Sequence, residues 1–168
     1  MKLIFKITRK LFDEIRNDLA RPHHYAYERV GWIRCRPSPL PQNGLLILAH
    51  DYYPVGEHAY IKSKDAAATI NSDAIRKALQ LALDQKVSMF HVHLHGHTGP
   101  TWFSEIDSRE NRKLIPDFWN VRPELPHGAV VFSNTDINGQ CWYDKGKIYT
   151  ITTATIVGFP IGSTDKYK

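Results

Sequence analysis

The sequence has few cysteines and no long apolar segment. Its two cysteines, Cys35 and Cys141, lie far apart and form no C-x-x-C pair, so they predict neither a disulfide framework nor a cysteine zinc site. The apolar run between Lys2 and Lys6 is too short for a signal peptide or a membrane span. We therefore expect a cytoplasmic protein that has no membrane partner.

Basic segments of the kind that bind nucleic acid are also missing. The chain has 22 Lys and Arg against 17 Asp and Glu, but the positive residues are spread along it and do not alternate with aromatic residues. The net charge of +5 favours acidic partners only weakly, and we do not expect nucleic acid to be one of them. The 168 residues show no internal repeat or low-complexity tract and suit a single domain.

Hydrophobic periodicity alternates between strand and helix. Leu3 to Ile7 alternates as a strand does, and Thr8 can cap a helix after it. Asn71 or Ser72 can cap the clearest helix, which runs to Gln85. Further strands are expected within residues 28–35, 45–55, 87–95, 128–133 and 140–143. The pattern predicts an α/β (α+β) fold in one domain, residues 1–168, with a mixed sheet flanked by helices.

Proline and glycine predict where these elements end. The proline-spaced segment 36–44 is expected to be a loop, and a helix that begins at Ser104 is expected to stop at Pro116. Asn138-Gly139 indicates a hairpin turn, and a second turn is expected at 144–147. A β-branched run occupies residues 148–157.

Four histidines occupy alternate positions in the segment SMFHVHLHGHTGPTWFSEID, residues 88–107. In a strand, His93 and His95 would project from one face with Cβ atoms about 7 Å apart, close enough to share a metal ion. Burying several imidazoles without partners is costly, so the pattern favours metal binding over packing. Asp107, in the first turn of a helix capped by Ser104, is the expected third ligand. Glu28 precedes a strand that could lie beside the histidine strand, and it is the expected general base.

Other aromatic side chains have no comparable spacing. His23, His24, His50 and His58 are expected at the surface or in loops. Trp102 and Phe103 are expected to pack the loop beside the site, although aromatic residues on the rim of a groove could also hold an extended peptide.

Three blocks carry a resemblance to a known family: ERVG at 28–31, HLH at 93–95 and SEID at 104–107. They resemble the JAMM motif of the JAB/MPN metalloproteases, in which Glu-x-x-Gly precedes His-x-His and Ser-x-x-Asp, and they look most like its prokaryotic branch. The resemblance, which runs from Glu28 through Asp144, implies an MPN/JAB-type domain of cytidine-deaminase-like architecture. It implies that His93, His95 and Asp107 bind Zn²⁺, that Glu28 is the general base, and that Ser104 steadies the oxyanion.

The same resemblance implies a deubiquitinase-like zinc isopeptidase or peptidase, with a zinc-activated water as nucleophile. Its substrate would be a ubiquitin-like protein, released from a conjugate or trimmed at its C-terminus. Relatives in bacteria accompany ubiquitin-like conjugation, in some cases in antiphage defence, so enzymes of the ubiquitin-activating and ubiquitin-conjugating type are expected as further partners.

Two departures from the family pattern leave alternatives open. The spacer between His95 and Ser104 is one residue longer than usual, and Gly96 stands where the family commonly has proline. His91 with His93, or His95 with His97, therefore remain alternative ligand pairs. We prefer His93 with His95 because the six residues 87–92 match the strand that precedes the pair in the family.

Two other functions remain alternatives to the isopeptidase. One is a catalytically silent MPN-type scaffold that binds a partner, although scaffold members of the family generally lack the ligands. The other is an unrelated metallohydrolase, although the H-E-x-x-H and H-x-H-x-D-H signatures are absent from the sequence.

Overall fold

The computed structural model describes residues 1–24, 26–62 and 68–158 and combines three α-helices with eight β-strands. In chain order these are β1 (Leu3–Thr8), α1 (Arg9–Leu19), β2 (Val30–Leu40), β3 (Gly44–Pro54), α2 (Ser72–Gln85), β4 (Ser88–Leu94), α3 (Glu105–Val121), β5 (His127–Phe132), β6 (Ile137–Tyr143), β7 (Lys147–Thr150) and β8 (Thr153–Val157), with a short 3-10 helix at Glu57–Ala59. The strands form one mixed sheet in the order β7-β6-β5-β4-β2-β3-β1-β8. The predicted mixture of helices and a mixed sheet is confirmed. Among the described residues, none of the helices combines the length and the apolar character needed to cross a membrane.

The sheet curls around α1. Leu11, Phe12 and Ile15 of this helix pack in one cluster with side chains from all eight strands. The two residues between β7 and β8 link the outer strands: Ile151 N donates to Gly139 O at 2.9 Å, and Thr152 N donates to Leu3 O at 2.8 Å. The chain therefore passes directly from one edge of the curled sheet to the other.

Helices α2 and α3 cover the opposite face of the sheet. Ala78 and Ala82 of α2 and Phe118 of α3 pack with Trp32 and Met89 in a second cluster. Strand β4 is covered on both faces, because its even-numbered residues face the α1 cluster and Met89 faces α2 and α3. The alternate histidines share the parity of Met89, so they lie on the α3 side.

The three predicted helix starts are confirmed. Thr8 Oγ1 accepts a hydrogen bond from Leu11 N at 3.2 Å, and Asn71 Oδ1 accepts one from Ala74 N at 3.0 Å. Ser104 caps α3 in the same way. Each cap satisfies a backbone N–H that has no partner within its helix.

The loop predicted for residues 36–44 is wrong for residues 36–40, because β2 continues to Leu40 and pairs there with β3, and only residues 41–43 form a turn. Strand β4 pairs with β2 only as far as Cys35, so the remainder of β2 is a sheet edge. Pro37 and Pro39 alternate along this edge, where a missing N–H removes no ladder hydrogen bond.

The helix stop predicted at Pro116 is also wrong, because α3 continues to Val121. Ile115 and Phe118, on either side of the proline, are fully buried against the sheet. Their packing offsets the hydrogen bond that Pro116 cannot donate.

The hairpin turn predicted at Asn138-Gly139 lies instead at residues 133–136, where Ser133 N donates to Asp136 O at 2.9 Å. Gly139 is within β6, and a Cβ there would lie 2.7 Å from Val130 Cγ1. This glycine permits close packing of β6 on β5 rather than a turn. The turn at 144–147 is confirmed, since Asp144 and Lys145 have φ values of 48° and 62°. The β-branched run after it divides into β7 and β8.

Gly31 has a packing reason to be glycine, because a Cβ at this position would lie 2.4 Å from the Tyr52 ring. We expect Gly31→Ala to lower the free energy of unfolding by about 1–3 kcal/mol, since the buried ring must move. Gly96→Ala is the matched control, because a Cβ there would have no atom within 4 Å. Urea unfolding of both variants tests this, and equal stability of the two would contradict it.

Candidate metal centre

The pairing of β2 with β4 brings Glu28 to the histidines. The two strands are antiparallel with Val30 opposite His93, so the chain just before β2 runs past the end of β4. On the other side of β4, His95 N donates to Phe132 O at 2.8 Å, which extends the pairing with β5 by one residue. The expectation that the two strands lie side by side is confirmed.

Three side-chain atoms converge at the end of β4. The Nε2 atoms of His93 and His95 lie 3.2 Å apart, and Asp107 Oδ2 lies 3.4 Å from the first and 3.6 Å from the second. Glu28 also approaches, since its carboxylate and the two imidazoles have ligand atoms within 4.8 Å of one another. The group of His93, His95 and Glu28 could hold a metal ion, and Asp107 offers a carboxylate oxygen nearer to both imidazoles.

The start of α3 holds Asp107 in place through a capping box. Ser104 donates to Asp107 Oδ2 from its backbone N at 2.8 Å and from Oγ at 2.7 Å, while Asp107 N donates to Ser104 Oγ at 3.1 Å. The positive end of the helix dipole also favours a carboxylate here. Burial opposes ionisation of Asp107, but hydrogen bonds from His93 and Ser104 outweigh it and hold its pKa well below the usual range.

Glu28 has the opposite electrostatic balance. Its burial raises its pKa above the ordinary value, the nearby His93 lowers that pKa, and repulsion from Asp107 raises it further. The two carboxylates near the imidazoles are therefore not equivalent, because Asp107 ionises readily and Glu28 holds a proton more tightly.

Arg29, the residue after Glu28, fixes the position of the Glu28 backbone. Arg29 is buried and donates from Nε to Arg21 O at 2.9 Å, from a terminal nitrogen to Pro22 O at 2.8 Å, and to the Glu57 carboxylate. His23, which was expected at the surface or in a loop, lies in a loop with a side chain only 2% exposed, and its Nδ1 accepts from Ala26 N at 3.1 Å. These contacts hold the segment before β2 against the 3-10 helix.

His91 and His97, the alternative ligands, lie apart from the point where His93 and His95 converge. His91 lies further from the end of β4, with its ring 5.3 Å from the Trp32 ring and beside Asn111 of α3, and burial lowers its pKa to about 3. His97 is exposed, and its Nδ1 lies 3.4 Å from Thr98 O. The distances therefore favour His93 with His95 as the pair that meets Asp107.

The sequence patterns missed the contacts behind His95. Thr101 is buried, with its Oγ1 3.4 Å from His95 Nδ1, and its backbone N donates to Asp136 Oδ2 at 3.1 Å. Neither residue lies in a block with ligand spacing, and Asp136 follows a different strand. The sequence signal for these contacts was limited to the turn-forming residues Asn134 to Asp136. Such residues predict a turn, but they do not predict which loop packs on it.

We call His93, His95, Asp107 and Glu28 the metal group. It is open to solvent on one side and adjoins a cavity on another. The side chains of His95 and Asp107 are 21% and 17% exposed. A cavity of about 490 Å³ reaches Glu28, His93 and Asp107, and apolar residues line part of it: Val30, Ile70, Ile75, Ile106 and Leu114. Phe103 packs against Ile115 as expected, but Trp102, also expected to pack, is 66% exposed beside the site.

Comparison with protein-family models and with curated proteins identifies no relative. The chain matches no protein-family model, and no curated protein matches it closely enough to count as related. The resemblance to the JAB/MPN family, which depends on short blocks, therefore stays a prediction.

We expect His93→Ala, His95→Ala and Asp107→Ala each to lose bound metal, because each removes one of the three atoms that lie within 3.6 Å of one another. Elemental mass spectrometry of the purified chain measures this. His97→Ala is the matched control and should retain metal, as should Glu28→Gln if Glu28 is not a ligand. Retention of metal by Asp107→Ala together with loss in Glu28→Gln would assign Glu28 as the third ligand instead.

We expect Glu28→Gln to raise the stability of the metal-free chain at pH 7. A folded-state pKa above the ordinary value of 4.5 means that the group contributes stability below that value and loses it as pH rises through the folded pKa. Neutral glutamine removes this loss, so the gain should be present at pH 7 and shrink toward pH 4.

Urea unfolding across this pH range measures the effect. Glu57→Gln provides a control of opposite sign, because its hydrogen bond with Arg29 lowers the pKa of Glu57 and its charge therefore stabilises the fold above the ordinary pKa. Destabilisation of the metal-free chain by Glu28→Gln at pH 7 would show that burial is not the dominant influence on Glu28.

Proposed function

We propose that this protein is a zinc-dependent isopeptidase or peptidase that releases a ubiquitin-like protein from its conjugates or trims its C-terminus. The observation that carries the proposal is the convergence of His93, His95 and Asp107, with Glu28 beside them, from segments far apart in the chain. The same residues form the blocks that resemble the JAMM motif, and this agreement supports a JAB/MPN-type domain.

The donor set fits zinc. Two imidazole nitrogens and one carboxylate oxygen are a combination found in catalytic zinc sites, which keep a fourth position open. Ligands in a tetrahedron at zinc's usual bond lengths would lie about 3.3 Å from one another. The separations of 3.2, 3.4 and 3.6 Å among His93 Nε2, His95 Nε2 and Asp107 Oδ2 are close to that value.

Glu28 is the proton acceptor in this proposal. A zinc ion held by His93, His95 and Asp107 would supply Lewis acidity, which would lower the pKa of a water molecule and polarise a carbonyl group. The pKa of Glu28 is raised by burial, which brings it nearer to the working pH of a general base. Glu28 takes one proton as water attacks the carbonyl carbon, and it returns that proton to the leaving amine nitrogen when the C–N bond breaks.

Ser104 is placed to stabilise negative charge near Asp107. Its hydroxyl donates to Asp107 Oδ2 at 2.7 Å, and it stands at the positive end of α3. In the proposed reaction this hydrogen bond passes to the carbonyl oxygen of the substrate as its charge develops. Loss of the hydroxyl would then slow cleavage more than it weakens metal binding.

The surroundings of the metal group suit a chain-like substrate. Partial exposure of His95 and Asp107 leaves the group accessible from outside, so a flexible tail of another protein can reach it. The exposed Trp102 beside α3 offers an apolar surface to such a tail, as does Ile106, which is 46% exposed. These features support a protein tail as substrate, and a ubiquitin-like protein is the partner that the motif implies.

The decisive test compares the wild-type chain with Glu28→Gln, both loaded with zinc. We expect the wild type to release a coumarin dye from the C-terminus of ubiquitin or of a bacterial ubiquitin-like protein, or to cleave an isopeptide-linked dimer of either. Glu28→Gln should keep its zinc and lose at least about 100-fold of the rate, which is within the usual contribution of a general base.

Two outcomes would contradict the proposal. A zinc-loaded wild type that cleaves none of these substrates would favour the catalytically silent scaffold. Cleavage that persists in Glu28→Gln would remove the proposed role of Glu28. His97→Ala serves as the activity control, because its imidazole is exposed and its ring centroid lies 6.0 Å from that of His95.

A further inference from the structure

The loop that follows His95 rests on the turn between β5 and β6. We call residues 95–101 the ligand loop and residues 133–136 the support turn. Asn134 N donates to His97 O at 2.9 Å, Gly99 N donates to Thr135 Oγ1 at 3.0 Å, and Ser133 Oγ donates to Gly99 O at 2.6 Å. A fourth hydrogen bond runs from Thr101 N to Asp136 Oδ2 at 3.1 Å. The contact is therefore continuous along the ligand loop.

The support turn is itself firmly held. Ser133 is fully buried, and its Oγ accepts from Asp136 N at 2.9 Å and from Thr135 N at 3.3 Å while it donates to the ligand loop. From α1, Arg16 donates to Asn134 O at 3.2 Å. A turn tied together by hydrogen bonds to a buried serine can fix the position of the loop packed on it.

The ligand loop also contacts the ring of His95. Thr101 is 2% exposed, and its Oγ1 lies 3.4 Å from His95 Nδ1. Because Nε2 faces His93 and Asp107, Nδ1 is the ring nitrogen that must carry the proton if Nε2 is to bind a metal. The Thr101 hydroxyl is placed to accept that proton's hydrogen bond and so to set the tautomer and the ring orientation.

We propose that Thr101, Ser133 and Asp136 are positioning residues for the metal group. They hold the ligand loop so that His95 Nε2 points at Asp107. They also fix the position of Thr101, from which the chain continues to the start of α3. The inference rests on the proposed metal site, but it concerns residues that are not themselves proposed metal ligands. It extends the functional site to the turn between β5 and β6.

The first test is the Zn²⁺ affinity of the folded chain, measured by competition with a chromophoric chelator. We expect Asp136→Ala to bind Zn²⁺ at least about 10-fold more weakly, the usual effect of removing a partner behind a ligand. Asp136→Asn keeps an acceptor for Thr101 N and should recover most of the affinity. Asp144→Ala, in the turn between β6 and β7 where Asp144 accepts from the exposed Lys147, is the matched control and should bind as the wild type does.

The affinity is compared with the unfolding midpoint of each metal-free variant, measured separately. Weaker Zn²⁺ binding well below that midpoint supports positioning. An Asp136→Ala chain that unfolds at a lower temperature but keeps wild-type affinity while folded would overturn the inference and leave the turn as part of the fold alone. Failure of the wild type to bind Zn²⁺ would instead overturn the metal site itself, so the two failures are distinguishable.

Thr101→Val provides a second test that does not depend on the turn. It removes the hydroxyl, nearly preserves the side chain's shape, and leaves the backbone bond to Asp136 intact. With Co²⁺ as the probe, we expect a changed visible absorption spectrum and weaker binding, both restored in Thr101→Ser. A wild-type spectrum and affinity in Thr101→Val would overturn the role assigned to the hydroxyl.

Discussion

The pairing of β4 between β2 and β5 is the constraint on which the rest of the structure depends. Because β4 is covered on both faces, a shift of one residue would exchange its buried apolar side chains with its histidines. Packing around α1 on one face and around Phe118 on the other thus determines the register. The same register sets Val30 opposite His93 and brings Glu28 to the end of the strand.

The metal group brings two carboxylates and two imidazoles close together, an arrangement that packing alone does not favour. Asp107 remains ionised because Ser104 and the start of α3 stabilise its charge, whereas no described residue donates a hydrogen bond to Glu28 and burial raises its pKa. Two neighbouring carboxylates with opposite tendencies can serve different purposes, one as a ligand and one as a base. A bound cation would offset the repulsion between them, so the fold tolerates locally unfavourable electrostatics where the proposed chemistry needs it.

The sequence patterns predicted elements where the signal is local and failed where a neighbour decides the outcome. The caps of all three helices were predictable because each joins residues three apart. Pro37 and Pro39 read as a loop, yet they belong to a strand whose outer edge is free. Pro116 read as a helix stop, yet buried packing on both sides of it carries α3 onward. Gly139 read as a turn, yet it makes room for Val130.

Local sequence patterns were enough to predict the alternation that sets His93 and His95 on one face of a strand, and the cap that positions Asp107 in the first turn of a helix. Both follow from the geometry of a few consecutive residues. Only the tertiary structure decided which histidine pair meets Asp107, and which turn supports the loop between them. Those contacts join segments that are distant along the chain, and their register is set by how the whole core packs rather than by any local preference.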